Sequence, residues 1–379
     1  MKSKIYLYTE NWSSPLDESL DSSSTLISVF FDSDLQKVDN CLVELKEKFP
    51  LSTIVGASSS GEIFQDEVYE DSISVAIMQF EKTQLKYFVK EDLTPQNSYD
   101  TGLNLANTLY SDDLAGIFIL SEGLTLNGSY LTEAISSIIP LNIPVTGGLA
   151  GDKANFQETW IIANGSICES GICAIGFYGK EIHFEHAFKG GWDSLGLQRV
   201  ITKSKENVVY EIDNKPALEI YKRYLGDKAT QLPASGLFFP LEVRQEGEDE
   251  SKIRTLLAID EEQNSIVFAG NVPEGSIVTL MKANTNRLVN GAEEAAEALD
   301  VSAYKGEGDI VCLAISCVGR RLVLKSRTDE ELEAVLDTLP PQTKQIGFYS
   351  YGEISPLKSG KCDLHNQTMT LTLLWETYA

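Results

Sequence analysis

Short apolar runs alternate with helix-spaced segments along this chain, and the order in which they come returns. Residues 26–31 form an apolar run of strand length, and residues 34–49 space their apolar side chains as a helix does, opening on Asp34 as a capping residue. Residues 53–57 form a second strand, and Ser60-Gly61-Glu62-Ile63 turns into a third at 72–80. The same succession recurs near the end: strand 310–316, helix 328–339, strand 345–349, turn Tyr351-Gly352-Glu353-Ile354 and strand 367–375. A copy between them has strand 115–120, helix 130–139, strand 143–146, the turn Gly147-Gly148-Leu149-Ala150-Gly151-Asp152, and strands 159–163 and 171–178. A weaker fourth copy begins at strand 276–281 with a helix at 293–299.

The unit is strand, helix, strand, Gly-turn, strand. Its period is too long and irregular for a solenoid, so the repeats are expected to pair within two sheets packed by helices. The expected class is α/β, of the mixed α+β kind, in two domains, 1–195 and 196–379. The division is set where a Gly-rich passage near residue 190 ends the first strands. Residues 233–240 and the acidic run Glu246-Gly247-Glu248-Asp249-Glu250 fall outside the plan and read as a loop and a solvated turn.

Composition narrows the partners. A length of 379 residues exceeds the roughly 250–300 at which single cores stop growing, in keeping with two domains. Fifty-six acids against 31 bases leave a formal net charge of -25, which repels phosphate backbones and anionic lipid heads. Nucleic acid and membrane are therefore not expected as partners. The apolar stretch after Lys4 is too short for a signal peptide, and no uncharged run approaches the ~20 residues of a membrane helix, so a cytoplasmic location is expected. Cys41, Cys168, Cys173, Cys312, Cys317 and Cys362 form no C-x-x-C pair and read as reduced core residues, with no metal site built on sulfur.

The motifs for covalent and nucleotide chemistry fail. Gly56-Ala57-Ser58-Ser59-Ser60-Gly61 spaces its glycines too widely for a G-x-S-x-G elbow, and neither a phosphate loop nor a dinucleotide fingerprint is present. The glycines of 147–152 either cradle an anion through backbone N–H groups or make a tight sheet corner. His183 and His186 are three apart in a strand-like run and so face opposite ways, which prevents them from sharing a metal; either alone retains the capacity for one axial bond to haem iron. His365-Asn366-Gln367 puts three hydrogen-bonding side chains at the entrance of an apolar strand, where they must bind each other, backbone or a ligand. Arg320 ends the 310–316 strand and either offers its donors to a ligand carboxylate or pairs with Glu353.

These residues together carry a resemblance. Residues 56–63, 147–152 and Pro216-Ala217-Leu218-Glu219-Ile220-Tyr221 resemble the FIST family, as do Cys317-Val318-Gly319-Arg320, residues 347–354 and His365-Asn366-Gln367-Thr368, in that family's order from about 25 to 375. Ser121-Glu122-Gly123 stands where the family pattern has an Asp-Gly pair. The resemblance implies N-terminal and C-terminal FIST domains, a sensory pair that binds small ligands such as amino acids and relays to a signalling partner in trans. It also implies haem as an alternative ligand, since a branch of the family looks like haem-based nitric-oxide sensors.

The expected reading is a non-enzymatic sensor for an amino acid or other small carboxylate, with no catalytic residues, no metal and no obligatory cofactor. Its expected ligand-binding residues are Arg320, Tyr351, Gly352, Glu353, His365 and Asn366, with Gly147, Gly148, Asp152, Ser59 and Glu62 from the earlier copies. Binding is expected to shift the chain between two domain arrangements. Two rivals remain: a hydrolase using Ser59 or Cys317 with His365 as base, and an acidic scaffold for a basic partner.

Overall fold

The computed structural model describes residues 1–32, 35–245, 247–248 and 250–377. The expected cap Asp34, and Glu246 and Asp249 of the acidic run, lie outside the described residues.

The strands follow from alternation on two faces. In Thr25–Phe31, Leu26 and Phe30 enter a central core while Ile27, Val29 and Phe31 face helix α1 (Leu35–Lys48), which returns Val38, Cys41, Leu42 and Leu45 to them. A strand apolar on both faces is what a parallel pair needs, and Thr25–Phe31 runs parallel to Thr53–Ser58. The second repeat follows suit, with α2 (Ser98–Leu109) and α3 (Gly128–Ser136) covering the parallel pair Leu114–Ser121 and Val145–Leu149.

Three sheets result, where the sequence led to an expectation of two. Each has its repeat's last strand antiparallel to the first, preceded at the edge by a leading strand absent from the expected plan: Lys2–Tyr8, Gln84–Glu91 and Ile182–Lys189. Each sheet is completed by a hairpin donated from another repeat. Glu62–Phe64 with Glu67–Tyr69 pairs with Lys344–Ser350 of the third repeat. Ile161–Ala163 with Ser166–Cys168 pairs with Thr53–Ser58 of the first. Gly352–Pro356 with Cys362–His365 pairs with Val145–Leu149 of the second. The exchange is cyclic. Where the three exchanged segments cross, the N–H of Ser60 donates to the Tyr349 carbonyl (2.8 Å), that of Gly151 to Ser58 (2.9 Å) and that of Tyr351 to Leu149 (3.1 Å). The inner faces share one core in which Phe30 stacks on Phe348 at 4.9 Å.

A fourth sheet of nine strands lies between the leading strand Ile182–Lys189 and the rest of the third repeat. With α4 (Ala217–Leu225) it encloses its own core of Ile201, Val209, Leu218, Tyr221, Ile266 and Phe268. We call residues 193–282 the insert. Strand Ile277–Lys282, expected to open a fourth copy, belongs to it and pairs antiparallel with Leu241–Arg244. The following α5 (Thr285–Glu297) lies against α7 (Thr328–Thr338), with the short α6 (Val318–Leu324) between them in the chain, just as α2 lies against α3. There are three repeats, the third interrupted. The expected division at 195/196 falls at the start of the insert, and strand pairings join the two sides of it in the second and third sheets.

Candidate functional site

The residues expected to bind ligand fall into separate places. Arg320 is fully buried: its Nε and Nη2 meet Glu331 at 3.0 and 2.7 Å, Nη2 also donates to the Leu288 carbonyl (2.8 Å) and Nη1 to that of Gly190. Its partner is Glu331 in the first turn of α7 and not Glu353, and with its donors taken by the protein it offers no charge to a ligand. Gly147 and Gly148 are strand residues, not a turn. A Cβ on Gly147 (φ 146°) would stand 1.9 Å from the Ile119 carbonyl oxygen, and one on Gly148 would be 2.8 Å from Ile315. They permit close packing and make no anion cradle. Gly352 likewise sits in a strand, against Leu149 and Leu364. Asp152 is buried and accepts from the N–H groups of Phe156, Gln157 and Glu158 and from the Tyr351 hydroxyl, while the Tyr351 ring stacks on Phe156 at 4.5 Å. Glu122, at the departure from the family pattern, is spent in the same manner on the N–H groups of Leu124, Thr125 and Leu126.

Two of the expected carboxyls are counterparts. Glu353 accepts from Ser350, three residues before it (2.7 Å), and from the Thr368 hydroxyl (2.9 Å). Glu62 accepts from Ser72 (3.1 Å), with Ser59, again three residues before it, close by. Thr368 and Ser72 each stand just before the last strand of their repeat. Burial pushes Glu62 up to about 8, helped by nearby Asp32, and Glu353 up to about 7. Both are structural ties between an outgoing hairpin and the returning strand.

One large cleft remains, of about 790 Å³, between the three-sheet body and the insert. It is lined by the continuous run 186–192 on one side, by Ser251, Lys252 and Ile253 of the insert on another, and by Pro356, Leu357, Lys358 and Gly360 on a third. Of the expected residues only His365 reaches it; Thr368 lies beside it. The His365 ring packs on Phe188 at 4.0 Å and its Nε2 bonds the Ser355 carbonyl at 3.0 Å. A carbonyl only accepts, so Nε2 carries the proton. Burial drives the imidazole down to about 4, leaving it neutral. Asn366 stands next to it with Oδ1 buried and unpartnered.

The profile of the FIST N domain matches residues 25–215 and that of the FIST C domain residues 217–356. The chain belongs to the FIST family. The uncharacterized protein MJ1623 of Methanocaldococcus jannaschii is 23% identical over 349 residues, 82% of this chain and 65% of that protein, so this chain spans less than two thirds of its relative's length. FIST domains are associated with sensing in signal transduction, and in this FIST protein the N and C profiles meet inside the insert, with residues matched by each among those that line the cleft.

The cleft of this FIST protein has chemistry that sequence reasoning missed. His183 and His186 do point opposite ways: His183 stacks flat on Trp375 at 4.6 Å, while His186 faces the cleft. His186 is half-buried, is pushed down from its ordinary value by burial, and makes no hydrogen bond or ion pair with any described residue. Lys189 and Lys358 line the cleft without an ion-pair partner among the described residues, whereas Lys252 is paired with Asp363. Phe188, Trp192, Met281 and Ile253 supply apolar surface, and Trp192 is fixed by its indole N–H to the Gln367 carbonyl (3.0 Å). Neutral imidazole, free ammonium and aromatic walls together suit an anion on an apolar body. No local pattern announced them, because His186 and Lys189 lie on a strand whose edge becomes a wall only when the insert folds beside it.

The expected pairing of Ser59 or Cys317 with His365 does not form among the described residues. The Ser59 hydroxyl accepts from the Gly61 N–H at 2.8 Å, burial pushes the Cys317 thiol up, and neither contacts His365 among the described residues. No cluster of three or more metal-ligating side chains occurs among the described residues, and no described helix is long and apolar enough to cross a membrane.

Proposed function

We propose that this FIST protein is a non-enzymatic sensor that takes a small carboxylate-bearing ligand into the cleft between body and insert and relays its presence to a separate protein. The observation that carries this reading is His186 and Lys189, on opposite faces of one strand's end, both lining a cavity of about 790 Å³ and neither in a side-chain hydrogen bond or ion pair among the described residues. Lys189 would meet the ligand's carboxylate, His186 would donate or accept one hydrogen bond as a neutral ring, and Phe188 and Trp192 would flank its apolar part.

Because body and insert both line the cleft, a ligand that contacts both favours whichever arrangement of the two fits it, and that preference is the free energy available for signalling.

The experiment is thermal unfolding of the whole protein with a panel of amino acids and other small carboxylates. A ligand at about one hundred times its Kd stabilises by ~2.7 kcal/mol. The expected result is a shift with one chemical class, lost in Lys189→Ala and in His186→Ala with the unliganded melting point unchanged. A shift that survives both substitutions would move the site elsewhere, and binding that depends only on salt would favour the acidic scaffold.

Haem is a second reading, favoured by one feature: His186, an imidazole without a hydrogen-bond partner among the described residues, stands in a cleft that Met281, Trp192 and Phe188 also line. These residues fit one axial bond and the apolar faces of a macrocycle. His365 does not fit as a second ligand through Nε2, which is committed to Ser355. Added haemin would give a Soret band that His186→Ala removes and His365→Ala leaves in place.

A further inference from the structure

We propose that the ligand of the cleft is a short peptide with free termini, bound extended, its main chain adding a strand to the open edge of Ile182–Lys189. The inference rests on the cleft being the ligand site, and it names what that site takes.

The cleft meets strand Ile182–Lys189 along its edge and not on one face. His186, Ala187, Phe188 and Lys189 all line it, although successive side chains of a strand point to opposite sides. Phe188 leans toward His365 on one side, and Ala187 belongs to the apolar cluster on the other. A cavity lined by residues of both faces borders the strand's edge, where the backbone lies.

That edge is open. The strand is last in its sheet and pairs only with Met369–Glu376, and among the described residues no other backbone or side-chain group bonds the backbone of 183–189. A second edge strand of the body at the cleft, Cys362–His365, is also last in its sheet, yet it is closed: Ser136 donates to the Cys362 carbonyl at 3.0 Å and Arg254 to the Leu364 carbonyl at 2.9 Å. Proteins cover exposed strand edges because a bare row of N–H and C=O groups recruits another strand. Here one of two neighbouring edges is covered and the other borders a cavity.

Size and charge select the occupant. Four strand residues span about 13 Å at 3.3 Å each, the length of a tri- or tetrapeptide, and a single amino acid is too short to use such a row. The rim carries both signs, Lys189 and Lys358 against Glu242 and Glu250, none in an ion pair among the described residues; Glu250 accepts from the N–H groups of Lys358 and Ser359 and Glu242 from the Ser251 hydroxyl, bonds that leave both carboxylates their charge. A zwitterion with separated ends complements that rim. Strand addition takes affinity from main-chain bonds and specificity from alternate side-chain pockets, here beside Phe188 and Trp192.

The test is amide hydrogen exchange of the full chain, resolved to 183–189, with an equimolar mixture of tetrapeptides with free termini. Parallel arms use the same mixture N-methylated at alternate residues, the same mixture blocked at both ends, and the free amino acids. We expect exchange at 183–189 to slow roughly ten-fold with the first mixture alone, with 362–365 unchanged. No slowing, equal slowing by free amino acids, or undiminished slowing by the N-methylated mixture overturns the proposal. Equal slowing by the blocked mixture also overturns it, pointing to an internal segment of a protein partner. If small carboxylates still shift the melting point in a Lys189-dependent way while peptides give no protection, the peptide inference falls and the cleft reading stands; if neither responds, both fall.

Discussion

Glu62 and Glu353 are carboxyls placed where ionisation is costly, and the sign of the resulting pH dependence follows from their shifts. In the unfolded chain each titrates near 4.5; in the folded chain they titrate near 8 and 7. The folded state therefore holds more protons between these values, so the stability they contribute is complete below about 4.5 and is lost as pH rises through 7 to 8. Each pKa unit is worth on the order of 1 kcal/mol. Glu62→Gln and Glu353→Gln, which keep the hydrogen-bonding shape without the charge, should raise the melting temperature at pH 8.5 and leave it nearly unchanged at pH 4.5. Unfolding scans at the two pH values check this; an equal effect at both would remove ionisation as the cause. Glu376 acts in the opposite sense. Held down to about 2 by N–H groups of Glu81, Lys82 and Thr83, it contributes stability above about 4.5 that is lost on further acidification. At this scale the sequence showed which polar residues stand at strand ends, but not their partners. Arg320 is the clearest case: nothing near it in the chain distinguishes Glu331 from Glu353, and only the return of α7 against α6 brings Glu331 within 2.7 Å.

At the scale of elements, the regular strands and helices were legible because their periods are local. Apolar alternation at 26–31 and helical spacing at 35–48 need no distant partner to be recognised. The donated hairpins are short, as with Glu62–Phe64 and Glu67–Tyr69, and acquire their meaning from a strand some 280 residues away. Glycines mark where the elements approach most closely. A Cβ on Gly347 would stand 1.7 Å from the Ala314 carbonyl oxygen, a backbone atom held in a parallel ladder, whereas one on Gly352 would meet only the ends of Leu149 and Leu364 side chains at 3.0 Å. Gly347→Ala should therefore destabilise far more than Gly352→Ala, beyond the usual ~0.5–3 kcal/mol of a point substitution. Denaturant midpoints give the order, and equal midpoints would mean that the ladder yields as readily as a side chain.

For the whole molecule, the cyclic exchange of hairpins makes the three repeats one folding body and leaves the insert as a separate one. The insert has its own core and enters and leaves at neighbouring points, so residues 193–282 expressed alone should give a cooperative melt and dispersed amide signals. Residues 1–195 alone should not, because their hairpin at 62–69 and strand Ile182–Lys189 lose the sheet they complete. A folded, monomeric 1–195 would contradict the interlocked arrangement.

The sequence by itself determined the recurring strand, helix, strand order, the mixed class and the family, but not the leading strand of each repeat or the helices 98–109 and 318–324, since periodicity, turn residues and motif order are properties of adjacent positions. It also carried the opposed directions of His183 and His186, because a strand's alternation is geometric. Tertiary structure alone decided how many sheets form, which repeat lends its hairpin to which, that Arg320 is spent inside the protein, and that His186 and Lys189 share a cavity. Those outcomes depend on contacts between residues tens to hundreds of positions apart, where the free energy comes from burial and pairing that no local pattern encodes.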